Sequence, residues 1–378
     1  MSADILRFPT PPSRLALRLE WFGSNRSVLT MIWALYFALR VAVLLAGVAP
    51  TGDAAAYYGL AAGTGPAALQ AASLPPGWPL ALSLVFAQFG ASPVTLGLFN
   101  LASAMLAGLL TLALGRRLFR SEAAARAGLL LLAVYPQAIG YVPLALPEVF
   151  TGMLLLAGCW TVITRTRRWQ LVTAGLIFGL AALTNPQTLI AVPLLFAVEG
   201  AGTKDLRRHT LRLLGDGLLV LGVALLITLP WLPGHYQAFV PPAGSGYTLT
   251  ERLIRLWDAD GEMTRAYLAG APGLAPLEAA YPAVHYAALT FRTALMLAFA
   301  AAFLVMLVKR RRNGQTWAGW WLLPYGIALC PVLAVLAFPG RPELHVPVMP
   351  FVCMSAGWLA VTGWNALAER GRPAPTLH

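Results

Sequence analysis

Charge is scarce in this chain. Only 11% of its 378 residues are Asp, Glu, Lys or Arg, whereas 58% are hydrophobic. Soluble domains average about 25% charged residues. The low content therefore excludes an ordinary soluble protein and predicts an integral membrane protein. The net charge of +12 does not by itself indicate nucleic acid, because the placement of the basic residues decides what they bind, and no nucleic-acid partner is predicted.

Cysteine is also rare, and the familiar local signatures of catalysis are missing. The three cysteines, Cys159, Cys330 and Cys353, lie in apolar surroundings without CxxC or Cys/His spacing. This excludes a disulfide framework and a zinc site built on cysteine. The sequence also lacks a phosphate-cradling glycine loop, a zincin motif and a nucleophile elbow. No local motif therefore requires a cofactor.

Long apolar runs are abundant, and they predict an all-α polytopic protein with about ten membrane spans. The run at 80–89 follows Pro75-Pro-Gly-Trp-Pro79 and is too short to cross a bilayer. We therefore predict a re-entrant or juxtamembrane helix there. The predicted spans lie at about 28–49, 95–114, 123–138, 147–165, two within 169–199, 213–233, 286–308, 315–338 and 346–364.

The basic residues support this span count. Alternating spans place the N-terminus, the C-terminus and four basic loops on one side, and these segments hold 21 of the 27 Lys and Arg residues. The positive-inside rule makes that side cytoplasmic. An eleventh span at 80–89 would put the basic loops on opposite sides. We predict one transmembrane domain, 1–378, with a cytoplasmic lead-in (1–27), two external loops (50–94 and 234–283) and a cytoplasmic tail (365–378).

Charge away from the ends of the spans is essentially Arg40, with Asp216 and Arg292 as the other candidates. A buried arginine is costly in lipid, so Arg40 is predicted to face the protein interior or to snorkel to the surface. Tryptophans near span ends are typical of interfacial belts, and Trp78 is interpreted in that way.

The stretch Thr51-Gly-Asp-Ala-Ala-Ala-Tyr-Tyr58 is the first candidate site. Asp53 follows the first span, and Tyr57 and Tyr58 continue a predicted short helix to Ala62. A carboxylate at a membrane surface can act as a base, bind a metal ion or cap a helix, and Asp is a preferred N-cap. The residues alone leave these roles open.

Other polar residues are predicted to reach the same external face. Glu148 directly follows Pro147, so it can be a site acid or a first-turn acid that stabilises a helix dipole. Asn185 lies at the joint between two short spans. Arg341 and His345 separate two closely spaced spans, and they can bind a phosphate or anchor the loop to lipid headgroups.

In chain order these features resemble the GT-C superfamily of polytopic glycosyltransferases, which use sugars carried on polyprenyl phosphate or diphosphate. Gly52-Asp53 with Tyr57 and Tyr58 is similar to the acidic motif of the first loop. Tyr135-Pro136 through Pro147-Glu148 resembles the second external loop. Gly179-Leu-Ala-Ala-Leu-Thr-Asn-Pro186 and Gly340-Arg341 through Pro350 resemble two later elements. Ala54 stands where many members have Glu, and Asn185 where a basic residue is usual.

The resemblance implies a multi-pass inner-membrane enzyme. It would transfer a sugar from a polyprenyl-phosphate donor to a lipid, glycan or protein acceptor at the external face. Asp53 and Glu148 would be catalytic, and both would be the ligands of a divalent cation such as Mg²⁺ or Mn²⁺ if one is used. The residues implied in substrate binding are Tyr57, Tyr58, Asn185, Arg341 and His345.

Two other functions fit the same residues. A lipid or polysaccharide transporter or flippase would share the basic loops without needing Asp53. A non-catalytic membrane assembly partner would tolerate the loss of every external acid. Transporters usually place polar residues along a path through the spans or repeat their halves, and neither pattern is evident in this sequence.

Overall fold

The computed structural model describes residues 13–47, 52–63, 74–201, 206–233, 248, 281–315, 319–337 and 345–370. Every regular element within these ranges is a helix, which confirms the all-α prediction. The α-helices are α1 Arg14–Ser24, α2 Arg26–Leu45, α3 Gly52–Ala62, α4 Gly77–Phe89, α5 Pro93–Phe119, α6 Glu122–Ala133, α7 Pro136–Gly140, α8 Glu148–Thr164, α9 Trp169–Thr184, α10 Ala191–Ala201, α11 Leu206–Thr228, α12 Tyr281–Arg312, α13 Leu323–Ala337 and α14 His345–Arg370.

Five of these helices are long and apolar enough to cross a membrane, namely α2, α5, α11, α12 and α14. They coincide with five of the predicted spans. Shorter apolar helices lie at 77–89, 148–164, 169–184, 186–201 and 320–334. All but the first coincide with four more predicted spans, and α6 covers most of the run at 123–138. Residues 77–89 form one short helix that includes the predicted run at 80–89, while its re-entrant or juxtamembrane position and the total of ten spans stay predictions.

Helices α5 and α14 form the centre of the bundle. In each of them, more than half of an apolar 18-residue stretch is buried, whereas the corresponding share is 22% in α2, α11 and α12. The three less buried helices therefore present most of their apolar surface outward, as expected for helices that face lipid. Helix α14 packs against α6, α12, α13 and α8, so it connects both halves of the chain.

A glycine pair lets α6 and α14 pack in direct backbone contact. A Cβ atom added at Gly357 would lie 2.3 Å from the backbone nitrogen of Gly128, and one added at Gly128 would lie 2.8 Å from Cα of Met354. Small residues at a crossing point let membrane helices approach closely and gain packing energy. No larger side chain fits at either position without moving one helix.

Basic residues fix the turn between α5 and α6. Arg120 ends α5 in the left-handed region at φ 51°, and Ser121 caps α6 by accepting from the backbone N–H of Ala124. Arg116 donates two hydrogen bonds to the Glu122 carboxylate, and Arg126 donates a third. These hydrogen bonds, those from Arg116 above all, hold the pKa of the Glu122 carboxyl below its ordinary value. The predicted basic loop therefore contains one acid, Glu122, whose charge is balanced by Arg116 and Arg126.

A second ion-pair group lies at the same end of the bundle. The Arg165 guanidinium donates to the Glu199 carboxylate and lies 3.7 Å from the carboxylate of Asp216. Asp216, predicted as a charge within a span, is buried but pairs with Arg165 and with Arg212. Paired in this way, a buried acid needs no transport role to explain it.

Candidate active site

Helix α3 holds Asp53 at the surface of an otherwise packed helix. Its buried residues, Ala54, Tyr57 and Ala61, recur with helical spacing and form one inward face. Asp53 is exposed in the first turn, where a negative charge is favoured by the helix dipole. The predicted helix from Asp53 to Ala62 is confirmed. Its inward face fixes the backbone that carries the carboxylate.

The two tyrosines of this helix have different environments. Tyr57 is 3% exposed and belongs to the hydrophobic cluster beneath α3. Tyr58 is half-buried, and its ring meets that of Phe86 in α4 edge-on with centroids 5.3 Å apart. Tyr57 therefore supports the packing of α3, while Tyr58 is the one with part of its ring accessible at the surface.

Trp78 and Asn100 hold the segment that leads to Glu148. The indole N–H of Trp78 donates to the carbonyl of Ala145 at 3.0 Å. The Asn100 amide donates to the carbonyls of Val142 and Leu144 at 3.0 and 2.8 Å. All three bonds are buried. They satisfy the carbonyls of a non-helical stretch that could not otherwise lie inside a membrane protein.

The interpretation of Trp78 as part of an interfacial belt was wrong. The side chain is completely buried, and its ring stacks on Phe99 at a centroid distance of 5.6 Å. A belt tryptophan needs one face in the headgroup region, whereas this indole is used inside the bundle to bind a loop carbonyl. Sequence reasoning missed Asn100 altogether. A polar residue in the middle of an apolar helix was the signal that could have found it.

Glu148 begins α8 and is 5% exposed. Pro147 precedes it, and the Pro147 carbonyl accepts from the backbone N–H of Thr151 at 2.7 Å, which closes the first turn. One turn further, a Cβ atom on Gly152 would lie 3.3 Å from Cα of Pro347. The beginnings of α8 and α14 are therefore side by side, and Glu148 and His345 are located on adjoining helix starts.

Asn185 is a buried helix-end residue. Its side-chain oxygen accepts from the backbone N–H of Gln187 at 3.1 Å and caps the short 3₁₀ helix Pro186–Ile190. Its backbone carbonyl accepts from the Thr188 hydroxyl at 2.8 Å. The predicted joint between two short helices is confirmed. The capping bonds give Asn185 a structural role, and its predicted contact with substrate stays a prediction.

One hydrophobic cluster joins the elements that carry the candidate residues. It contains Ala54 and Tyr57 of α3, Val149 of α8 and Val346 of α14, together with the completely buried Trp78. These residues are sequence neighbours of Asp53, Glu148 and His345. Asp53, Glu148 and the start of α14 are thus carried by a single packed unit. The side chain of His345, and all of Arg341, lie outside the described residues, as does most of the long loop at 234–283.

Arg40 supports the start of the segment that leads to Glu148 from inside the bundle. It is completely buried, which confirms the interior-facing alternative. Its guanidinium donates to the carbonyls of Tyr36, Leu132 and Ala133 at 3.0, 3.2 and 3.4 Å. The last two carbonyls lie at the C-terminus of α6, where helix carbonyls lack intrahelical partners and favour a cation. Arg40 therefore fixes the point from which residues 134–147 run to Glu148.

The described part of the chain does not by itself fit a metal site. It contains no group of three or more His, Cys, Asp or Glu side chains placed to hold one ion. Asp53 and Glu148 contribute one carboxylate each from separate helices, and one is exposed while the other is buried. A two-carboxylate site there stays a prediction.

The helices define a multi-pass, all-α membrane protein. The helices that carry Asp53, Glu148 and His345 pack around one hydrophobic cluster. Residues 73–233 match the family model of dolichyl-phosphate-mannose-protein mannosyltransferases. This segment, less than half of the chain, contains the proline-rich approach to α4, Glu148 and Asn185. The match confirms the resemblance to GT-C membrane glycosyltransferases that the sequence predicts.

One solved structure is also similar. The crystal structure of an Archaeoglobus fulgidus oligosaccharyltransferase complex with Zn and sulfate has 16% sequence identity and a TM-score of 0.49, over 79% of this chain and 42% of that protein. This chain thus spans less than half of the length of that protein. No curated protein matches the chain.

Proposed function

We propose that the chain is a membrane glycosyltransferase of the GT-C type. It moves a sugar from a polyprenyl-phosphate carrier to a hydroxyl group of a lipid, glycan or protein acceptor at the external face of the inner membrane. The observation that carries this proposal is the family match over residues 73–233. One hydrophobic cluster joins the helices that carry Asp53, Glu148 and His345. This packing supports the proposal, because residues from three separate parts of the chain can then contribute to one site.

Asp53 is the general base of the proposed reaction. The acceptor oxygen attacks the anomeric carbon, a new C–O bond forms, and the bond from that carbon to the phosphate oxygen breaks. The acceptor proton goes to the Asp53 carboxylate, and the electron pair of the broken bond leaves with the lipid phosphate. An exposed carboxylate on a rigid helix suits this role, because the base must reach the proton that it removes.

Glu148 positions the acceptor beside Asp53. Pro147 precedes its helix, α8, and α8 packs against α14. The backbone that carries the Glu148 carboxylate is therefore held in place. Tyr58, half-buried on the same helix as Asp53, offers an aromatic face to the sugar. Tyr57 acts through the packing of α3, and Asn185 shapes the adjoining helix end.

Arg341 and His345 bind the phosphate of the carrier in this proposal. The guanidinium fork of Arg341 matches two phosphate oxygens, which a lysine cannot do. The added charge stabilises the phosphate as it departs, the stage at which fixed positive groups contribute most. His345 lies at the N-terminus of α14, a position where the helix dipole also favours an anion.

A transfer assay tests the function itself. The full chain is reconstituted in liposomes with polyprenyl-phosphate sugars that carry a radiolabel, and an envelope extract supplies candidate acceptors. We expect label to move into an acceptor fraction only when the chain is present. Movement of the intact labelled carrier across the bilayer without transfer would instead identify a flippase. Absence of both activities across the sugars tested would support an assembly partner.

A further inference from the structure

The first helix of the chain, α1, packs on the bundle through one face. Ala16, Leu19, Phe22 and Gly23 recur with helical spacing and are buried or half-buried. A Cβ atom added at Gly23 would lie 3.4 Å from Cβ of Ala123 in α6. Leu19 and Phe22 pack against hydrophobic clusters that include residues of α6 and α14. This face therefore docks α1 against those two helices.

Three hydrogen bonds to backbone carbonyls hold α1 in this position. Arg126 of α6 donates to the carbonyls of Phe22 and Asn25 at 2.9 and 2.7 Å. These carbonyls lie at the C-terminal end of α1, where a cation is favoured. Near the other end, the indole N–H of Trp364 in α14 donates to the Leu15 carbonyl at 2.8 Å. Both ends of α1 are thus attached to the bundle.

These contacts place α1 across the bundle. Helices α6 and α14 are antiparallel and touch at Gly128 and Gly357. On the same side of this crossing, Ala123 and Trp364 lie about 8 Å and about 10 Å further along the two helix axes. They contact residues 23 and 15, which are about 12 Å apart along α1. Because the two ends of α1 differ little in height, it runs roughly perpendicular to the spans, as an interfacial helix does.

The opposite face of α1 carries apolar and basic side chains side by side. Leu17 and Trp21 are 49% and 55% exposed, and Arg14 and Arg18 are exposed beside them. The members of each pair are four residues apart, so each pair forms one stripe along the helix. Glu20 is the acid of this helix. Exposed Leu and Trp next to arginines are typical of helices that lie in a membrane interface.

The bilayer reaches the level of this face. Helix α2 begins at Arg26, directly after α1 ends at Ser24 and Asn25 caps α2. Helix α2 is long and apolar enough to cross a membrane. Trp21 therefore lies close to the point where α2 enters the bilayer, a depth that tryptophan favours. The positive-inside rule predicts that this end is cytoplasmic, and the cytoplasmic leaflet contains anionic lipids.

We propose that the outward face of α1 binds the headgroup layer of a leaflet that contains anionic phospholipids. The side chains of Leu17 and Trp21 enter the boundary of the acyl chains, and Arg14 and Arg18 contact lipid phosphates. Apolar burial and electrostatic attraction add together in such a helix, and each arginine near the anionic surface strengthens the attraction. This surface is separate from the proposed transfer site and does not depend on that reaction.

Fluorescence quenching of the full chain in liposomes tests the proposal. Leu17→Cys is labelled with an environment-sensitive dye, while the three native cysteines are buried and stay unlabelled. We expect a nitroxide on the upper acyl chain of added lipid to quench this label. Quenching should be stronger in equal parts of phosphatidylcholine and phosphatidylglycerol than in phosphatidylcholine alone. Iodide on both sides of the bilayer should quench it weakly.

The control label is placed by Gln315→Cys, at an exposed position just beyond the basic end of α12. There iodide should quench more strongly than the lipid nitroxide. Iodide quenching as strong at residue 17 as at residue 315 would overturn the proposal and would instead leave this face of α1 to a protein partner.

The arginines are tested by Arg14→Gln, Arg18→Gln in the chain labelled at residue 17. We expect this variant to lose the increase in quenching caused by phosphatidylglycerol, and high salt should remove it from the unsubstituted chain. The matched control Arg167→Gln, Arg168→Gln removes two exposed cations between α8 and α9 and should keep the increase. Size-exclusion profiles check that both variants are folded. Equal quenching with and without phosphatidylglycerol, or an unchanged increase in the α1 variant, would overturn the proposal.

Discussion

At the scale of single residues, buried polar side chains organise the approach to Glu148. Trp78, Asn100 and Arg40 each donate to backbone carbonyls of a segment that comes from a different part of the chain. Such carbonyls have no water to bond inside a membrane, so each donor removes a cost of desolvation. These three residues hold the segment before Glu148 in place through its backbone carbonyls.

Replacing Asn100 tests this role. Asn100→Leu leaves two buried carbonyls, those of Val142 and Leu144, without their amide donor. We expect the protein to lose about 1–3 kcal/mol of stability and sugar transfer to fall as the segment before Glu148 shifts. Thermal unfolding in detergent measures the first effect.

The matched control is Ser83→Ala, which removes an exposed hydroxyl that donates to the Leu80 carbonyl. Its melting temperature should equal that of the wild type. If Asn100→Leu melted at that temperature as well, the proposed support of this segment would be wrong.

At the scale of helices, direct backbone packing replaces side-chain contacts where the bundle is tightest. The crossing of α6 and α14 at Gly128 and Gly357 is the closest of these. Helix α6 ends under Arg40, and α14 begins beside Glu148. The crossing therefore fixes the spacing of two elements that support the candidate site.

Substitution of Gly357 should separate these helices. Gly357→Leu places a side chain where the backbone of Gly128 already lies, so we expect poor folding and little protein of native size after extraction. Gly363→Leu is the matched control on the same helix, because a Cβ atom there meets nothing within 4 Å. Fluorescence-detected size-exclusion chromatography compares the two. Equal monodisperse peaks would contradict the close crossing.

The sequence was sufficient to predict most helices but not the contacts between them. Apolar runs of sufficient length placed the five long helices, and Thr184-Asn-Pro predicted the break between α9 and the 3₁₀ helix. The burial of Trp78 was mispredicted, because a tryptophan near a helix end has the same local pattern at a lipid interface and inside a bundle. Asn100 and Gly357 act through partners distant in sequence, which local periodicity does not identify.

The candidate site was predictable to a similar degree. The position of Asp53 in a short helix followed from the residues after it. The predicted topology placed the starts of α8 and α14 at the same face, but it did not show that they pack side by side. The sequence did not show that Asn185 caps a helix, because that required the backbone geometry of Pro186–Ile190.

At the scale of the whole molecule, the two ends of the bundle differ in charge. Arg116, Arg126 and Arg165 form ion pairs at one end, together with the cations that end α12. Asp53 and Glu148 lie at the other end. The positive-inside rule therefore predicts that Asp53 and Glu148 face away from the cytoplasm, the side on which the proposed reaction would meet its acceptors.

Reporter fusions test this orientation. An enzyme active only in the cytoplasm should be active when fused after Arg120, Arg168, Arg212 or Arg312, and inactive after Gly63, Tyr247 or Leu344. A periplasm-active reporter at the same seven positions is the control and should give the opposite pattern. Cytoplasmic activity after Tyr247 would contradict the predicted span count and place Asp53 and Glu148 on the other side.

The most direct measurement is the rate of sugar transfer by Asp53→Asn in reconstituted liposomes. Asparagine keeps the shape and the helix-start preference of aspartate but cannot accept the proton. We expect transfer to fall by about 10²- to 10⁴-fold, the usual contribution of a general base, with unchanged expression and size-exclusion profile. Ala55→Asn adds the same side chain at a neighbouring exposed position of α3 and should transfer normally. An Asp53→Asn protein that transfers sugar at the wild-type rate would contradict the account.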